Sequence, residues 1–198
     1  MLQMFFLTYQ LLRDSFSKGT AQLFTFLILG NCSVVAQAWN TARLSFVSPS
    51  NIEVSANSFD EINDGITIPA GLIIGVTISD LNDVGASGPL TGFSLSFRTA
   101  NGVATEMEGV NGNNIDINTV ALTASNEIGL GLSSFLPPVL LSSFSQTLMS
   151  SNTFPCDWRT HQVAIQFEFG TVNCTGKLYD QATDYYTVEI EYTLEPTF

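Results

Sequence analysis

The stretch that decides the fold is the last one, DYYTVEIEYTLEPTF, residues 184–198. Tyr186, Val188, Ile190, Tyr192 and Leu194 alternate with Thr187, Glu189, Glu191, Thr193 and Glu195. A strand repeats every two residues, so one face is apolar and the other carries hydroxyls and carboxylates. Such a strand must complete a sheet, and the apolar set is expected to face a core. The same period runs back through the chain. RLSFV (43–47) aligns Leu44 with Phe46, and NIEVSA (51–56) aligns Ile52 with Val54. GLIIGVTIS (71–79) aligns Ile74, Val76 and Ile78, and GFSLSF (92–97) aligns Phe93, Leu95 and Phe97. QVAIQFEF (162–169) points Val163, Ile165, Phe167 and Phe169 inward and Gln166 and Glu168 outward. Repeated short strands with one dry face predict antiparallel sheets.

The connections carry turn chemistry. Asn101-Gly102 lies between two alternating runs and tolerates positive φ, which predicts a tight hairpin there. Asn111-Gly112 and the Asn63–Gly65 stretch are further turns. Residues 133–154 contain Pro137-Pro138, which cannot sit inside a central strand. Leu140, Phe144 and Leu148 have helical spacing, so this stretch reads equally as a short helix or as an irregular strand crossing between sheets. Together these segments predict an all-β, antiparallel two-sheet β-sandwich, Ig-like or Greek key, with a closed barrel as the rival.

The N-terminal segment reads differently. Arg13 and Lys18 precede an apolar run, Leu23–Leu29, that is followed by small residues and Ala36-Gln37-Ala38. This is the layout of a secretory signal peptide over residues 1–38, cleaved after Ala38, with one domain over 39–198. The run is shorter than the ~20 residues a membrane span needs. Once it leaves, Arg43, Arg98, Arg159 and Lys177 face every carboxylate except Asp14, on a chain whose formal net charge is -12. So acidic a domain excludes nucleic acid as a partner, since phosphate binding needs a basic surface. Cys156 and Cys174 remain as an even pair in an exported chain, which predicts one disulfide.

Few residues carry a catalytic or ligand-binding pattern. His161, beside Asp157, has no serine in a G-x-S-x-G elbow to act on. Glu106/Glu108 and Glu189/Glu191 are each two residues apart, about 7 Å on one strand face, near the separation inverting glycosidases use. The pairs are read here as a solvated sheet face, since nothing in the sequence raises one member's pKa or builds a cleft. Calcium is the more credible ligand: Asp80 and Asp83 flank Asn82 in the loop 80–88, and Asp60, Glu61 and Asp64 cluster. The loop lacks the EF-hand register. No other cofactor is implied. Trp39, Trp158, Tyr179, Tyr185 and Tyr186 are candidates for a sugar-stacking platform, and Asn173-Cys174-Thr175 matches a glycosylation sequon.

The terminal strand YYTVEIEYTLEPTF (185–198) and the N-terminal segment WNTARLSFVS (39–48) resemble the ends of exported pilin subunits and spore-coat-like surface proteins. That resemblance implies a non-enzymatic surface, fibre or matrix component whose sheet is completed by a partner copy's strand. The cysteines lie later in the chain than in pilins. The alternative is a secreted carbohydrate-binding domain with a weak calcium loop, which would take surface glycans as partners.

Overall fold

The computed structural model describes residues 41–48, 51–79, 91–152, 155 and 157–197. The expected leader, 1–38, lies outside these residues. Among the described residues no helix is long and apolar enough to cross a membrane.

Strands dominate, and every pairing is antiparallel. In chain order they are β1 (Thr41–Phe46), β2 (Ile66–Ser79), β3 (Gly92–Thr99), β4 (Glu106–Gly109), β5 (Asn114–Asp116), β6 (Val120–Ile128), β7 (Ser134–Phe135), β8 (Val139–Leu140), β9 (Gln146–Ser151), β10 (Gln162–Phe169), β11 (Tyr186–Thr187) and β12 (Ile190–Thr197). A five-stranded sheet has the order β1-β2-β10-β6-β8, a four-stranded sheet β12-β3-β9-β7, and a small sheet β11-β4-β5. The chain moves from one large sheet to the other at each step through β2, β3, β6, β7, β8, β9, β10 and β12.

One apolar core draws on both large sheets. Its largest fully buried side chains include Ile74 of β2, Phe93 and Phe97 of β3, Leu122 of β6, Met149 of β9 and Ile165 of β10. Each such side chain contributes about 1.5–3 kcal/mol when fully buried. The alternating positions of 71–79, 92–97 and 162–167 are the ones that enter this core, as their period predicts.

The C-terminal alternation divides between two sheets. Tyr186-Thr187 pairs with β4, and Ile190–Thr197 pairs with β3 in the register Tyr192↔Phe97 and Leu194↔Leu95. All five apolar members, Tyr186 to Leu194, are half-buried against the core. Glu189, Glu191 and Glu195 are exposed.

Other expectations are corrected. Asn101 and Gly102 have φ of 58° and 63°, as a turn needs, but no hairpin forms, because β3 pairs with β12 and β9 rather than β4. The hairpin of that region lies at Asn111-Gly112, between β4 and β5, with Gly112 at φ 83°. Residues 51–57 form no strand; Ile52 still packs against the core while Asn51 and Glu53 are exposed. Phe46 is exposed rather than inward. Residues 133–152 form three short strands, β7, β8 and β9, and no helix.

A helix does form at Phe59–Asp64 (α1). Ser58 Oγ accepts from Glu61 N at 3.1 Å and the Glu61 carboxylate accepts from Ser58 N at 3.0 Å, a reciprocal capping box. Gly65 ends it at φ 83°, where any side chain would overlap the backbone of Phe169–Thr171.

Glu168 is also corrected. It is 4 % exposed instead of facing water, because residues 170–178 fold back over that end of the sheet. Inside β2, two steps along β10 (Ile165 to Phe167) match four along β2 (Leu72 to Ile68). The extra pair sits around Pro69, which has no amide to donate, and Ala70 at φ 49°. An insertion of two preserves side-chain parity, so Ile68 and Leu72 stay on one face.

Tyr192 supplies the first test. Its hydroxyl is buried with no partner among the described residues, and burial pushes its pKa upward. An unpaired buried polar group costs about 1–3 kcal/mol. Tyr192→Phe is therefore expected to raise unfolding stability by about 1 kcal/mol, read as a higher urea midpoint with unchanged m-value. A lower midpoint would show that the hydroxyl contributes a bond.

Candidate functional site

The small sheet β11-β4-β5 presents one face inward and one outward. Met107 of β4 and Ile115 of β5 face each other in the ladder and are buried. Their neighbours Glu106, Glu108, Asn114 and Asp116 are exposed. Glu106 lies opposite Asp116, and Glu108 opposite Asn114 on one side and Thr187 on the other. Asn114 Nδ2 donates to Glu106 Oε2 at 2.9 Å. Tyr185 directly precedes β11, shares the outward parity of Thr187 and is 64 % exposed. The amide of Val110, itself exposed, donates to Tyr185 O at 3.2 Å. None of Arg43, Arg98, Arg159 and Lys177 lies on these three strands.

Asp184 fixes this surface. Its Oδ1 accepts from Tyr185 N at 2.7 Å and from Asn111 Nδ2 at 2.9 Å. Its Oδ2 accepts from Asn111 N at 3.0 Å and from Asn113 Nδ2 at 2.9 Å. Partial desolvation opposes its charge, but the bonds from Asn113, Tyr185 and Asn111 outweigh it and hold the carboxyl below the ordinary aspartate range. One carboxylate thus ties the 111–113 turn to the start of β11, across more than seventy residues of chain. Asp184 was not singled out from sequence; its partners are distant, and only the Asn-Gly-Asn turn chemistry marked the far end.

The other expected site residues fall elsewhere. The calcium candidates Asp80 and Asp83 lie outside the described residues. Asp60, Glu61 and Asp64 sit on α1, where Glu61 is occupied as a cap. Hydrogen bonds led by the Asn57 amide, at 2.7 Å, hold its carboxyl below the usual range. Among the described residues no cluster of three or more His, Cys, Asp or Glu is placed to hold a metal. Cys174 is a buried free cysteine, and Cys156, its expected disulfide partner, lies outside the described residues.

His161 Nδ1 is 3.1 Å from the Asp157 carbonyl and 3.0 Å from Thr160 Oγ1. The Asp157 carboxylate turns instead to Arg159, accepting its amide at 3.0 Å. That arrangement orients no imidazole for base catalysis. Glu191 pairs with Arg98 at 3.0 Å across β12 and β3, while Glu189 lies between β11 and β12.

Of the aromatics, Trp39 lies outside the described residues. Trp158 is half-buried over Gly75 and carries the Arg159 guanidinium 4.7 Å from its ring. Tyr186 is half-buried and donates to Ala182 O at 2.6 Å. Tyr179, 57 % exposed, lies on a turn beside α1, away from this sheet. Asn173 of the sequon donates its amide to Glu168 at 2.8 Å. No family model and no curated protein matches the chain.

Asp184→Ala is expected to release the 111–113 turn. Residue-resolved hydrogen exchange should show faster exchange at the amides of Asn111 and Tyr185, with the β10–β6 ladder unchanged. In the parent protein the same amides should lose protection as pH falls through the depressed Asp184 pKa, and keep it above the ordinary aspartate value near 3.8.

Proposed function

We propose that the protein is an exported, non-enzymatic binding domain that takes surface glycans on the outer face of β11-β4-β5. The two large sheets are read as the layers of a β-sandwich sharing one core. Two-sheet antiparallel architectures of this class also serve lectin domains. Such fold-level likeness is only background to a functional reading.

The observation that carries the proposal is Tyr185, held out to solvent beside the 111–113 turn, with Asp184 bonding both its amide and that turn. A ring with an apolar face and a polar tip can stack on a sugar's C–H surface. Glu106, Glu108, Asn114 and Thr187 supply acceptors and donors for hydroxyls. A surface already ordered before binding loses little entropy when a ligand arrives. The absence of basic residues from these strands favours neutral or amine-bearing sugars over sulfated or uronic ones.

A second reading is a surface or fibre component assembled by strand exchange. It is favoured by the position of β12 at the edge of its sheet, with β3 as its only ladder partner among the described residues. In-chain pairing of β12 favours the binding reading.

On a glycan array the mature domain should bind neutral glycans, and Tyr185→Ala should weaken that binding at least about ten-fold, or ~1.4 kcal/mol. No bound glycan, or equal binding by the variant, would reject the proposal. Truncation after Asp184 should unfold the domain, because it removes Tyr186, Val188, Ile190, Tyr192 and Leu194 from the core. Recovery of the fold on adding residues 185–198 as a peptide, together with concentration-dependent assembly of the intact chain in size-exclusion chromatography, would move the conclusion to strand exchange.

A further inference from the structure

A second built polar cluster lies at the end of β10. The Glu168 side chain is buried, and three side chains converge on its carboxylate. Thr171 Oγ1 donates to Oε2 at 2.6 Å, Asn173 Nδ2 to Oε2 at 2.8 Å and Gln166 Nε2 to Oε1 at 3.0 Å. Two of these donors belong to the segment that folds back over the strand. That segment is held to the 118–119 backbone by three bonds, Gly170 N to Thr119 O at 2.8 Å and Thr175 N and Gly176 N to Asn118 O at 3.2 and 3.4 Å, while Cys174 N to Thr171 O at 3.1 Å closes a turn within it. Beneath it lie the Cys174 thiol and the buried Asn118 Oδ1 and Thr119 Oγ1, which have no partner among the described residues.

We propose that Glu168 is an acid-released latch: its carboxylate, bonded to Thr171, Asn173 and Gln166, holds residues 170–176 closed over Asn118, Thr119 and the Cys174 thiol, and protonation frees the segment. An ionised carboxylate only accepts, so it can satisfy all three donors together. A protonated carboxyl becomes a donor itself at one oxygen and competes with them. The surrounding groups do not replace it. Lys177, the cation on this segment, donates its Nζ to Gly170 O and Thr171 O instead of the carboxylate. Across the ladder, Glu168 faces Thr67 and Ala121, both uncharged. Asp64 comes from α1 just before Gly65, which abuts residues 169–171, and is engaged by Asn63 Nδ2. Asp116, below, is engaged by the Asn118 amide. Cys174 Sγ approaches the Glu168 carbonyl at 3.6 Å, not its carboxylate.

Burial raises the cost of the Glu168 charge, but the bonds from Thr171, Asn173 and Gln166 more than offset it and leave the pKa below the ordinary glutamate value. A depressed carboxyl stabilises fully above its unfolded value and loses that contribution as pH falls through the folded one. The latch is thus closed at neutral pH and opens only in acid.

Hydrogen exchange of the intact chain between about pH 6 and pH 3, corrected for intrinsic rates, tests this. Protection at Gly170, Cys174, Thr175 and Gly176 should fall about ten-fold or more in acid, while the β10–β6 ladder keeps its protection. Glu168→Gln should leave the segment open at neutral pH and remove the acid dependence. Asn173→Ala deletes one donor to the carboxylate, so it should move the opening to higher pH. Where Glu168→Gln fails to fold, the parent pH series and Asn173→Ala decide. Protection that does not change with pH, or an opening midpoint that Asn173→Ala does not move, overturns the latch.

Discussion

Strand β10 is the constraint on which the rest depends. It is hydrogen-bonded along its whole length on both sides, to β2 and to β6, and neither neighbour is close in sequence. Its inward residues Val163, Ile165 and Phe167 enter the core only when both ladders are in register. β2 absorbs two extra residues around Pro69 and Ala70 so that Ile68 still reaches Phe167. The pairing of β12 with β3 is just as distant: the Arg98–Glu191 bond across it closes 93 residues of chain. Non-local ladders must meet the loop-closure entropy before any burial offsets it, so this topology is expected to fold slowly. Small polar locks hold the chain where such ladders end. Asp184 serves at one end and Glu168 at another, each through bonds from neutral side chains or amides rather than through a basic partner.

What could be read in the sequence follows from which forces are local. The period-two runs 71–79, 92–97 and 162–169 became strands with their apolar face on the core, because alternation reports burial directly. It does not report pairing. NIEVSA keeps its exposure pattern with Ile52 on the core, yet has no ladder. Asn101-Gly102 has the positive φ its residue types favour, yet its flanking strands choose other partners, because turn chemistry sets the backbone angle and distant packing sets the neighbour. Helix α1 is written in the sequence by its cap. Ser58 and Glu61, three apart, are a capping-box signature, but Asp60, Glu61 and Asp64 drew attention as calcium ligands instead.

The candidate surface was less legible than the fold, for a related reason. Tyr185 is visible as an aromatic in the sequence, but nothing local separates it from Tyr186, which turns inward and donates to Ala182. Their opposite roles come from the parity of β11, and that parity depends on pairing with β4. The Asp184 lock depends on the hairpin turn of β4 and β5 lying beside the chain seventy residues later. Likewise Glu168 has the outward parity its strand predicts. It is buried because a later segment covers that face, which no pattern within 162–169 records.

The alternation that closes the chain shows how one pattern can serve two sheets. Val188 and Glu189 lie between β11 and β12 without belonging to either, yet parity continues through them and Val188 stays on the core. Beyond them β12 lies at the edge of its sheet among the described residues, and an edge strand invites another chain. Its exposed positions carry Glu191 and Glu195, and Pro196 removes one donor near its end. Arg98 pairs with Glu191 from the partner strand, and Glu195 has no ion pair among the described residues. Carboxylates and a proline discourage an acidic copy of the same chain from adding to this edge, while they leave the inward tyrosine, isoleucine and leucine free to pack. The residues that complete the core and those that guard the edge are therefore consecutive members of one alternating run, which accounts for a regularity along the stretch that burial alone would not demand.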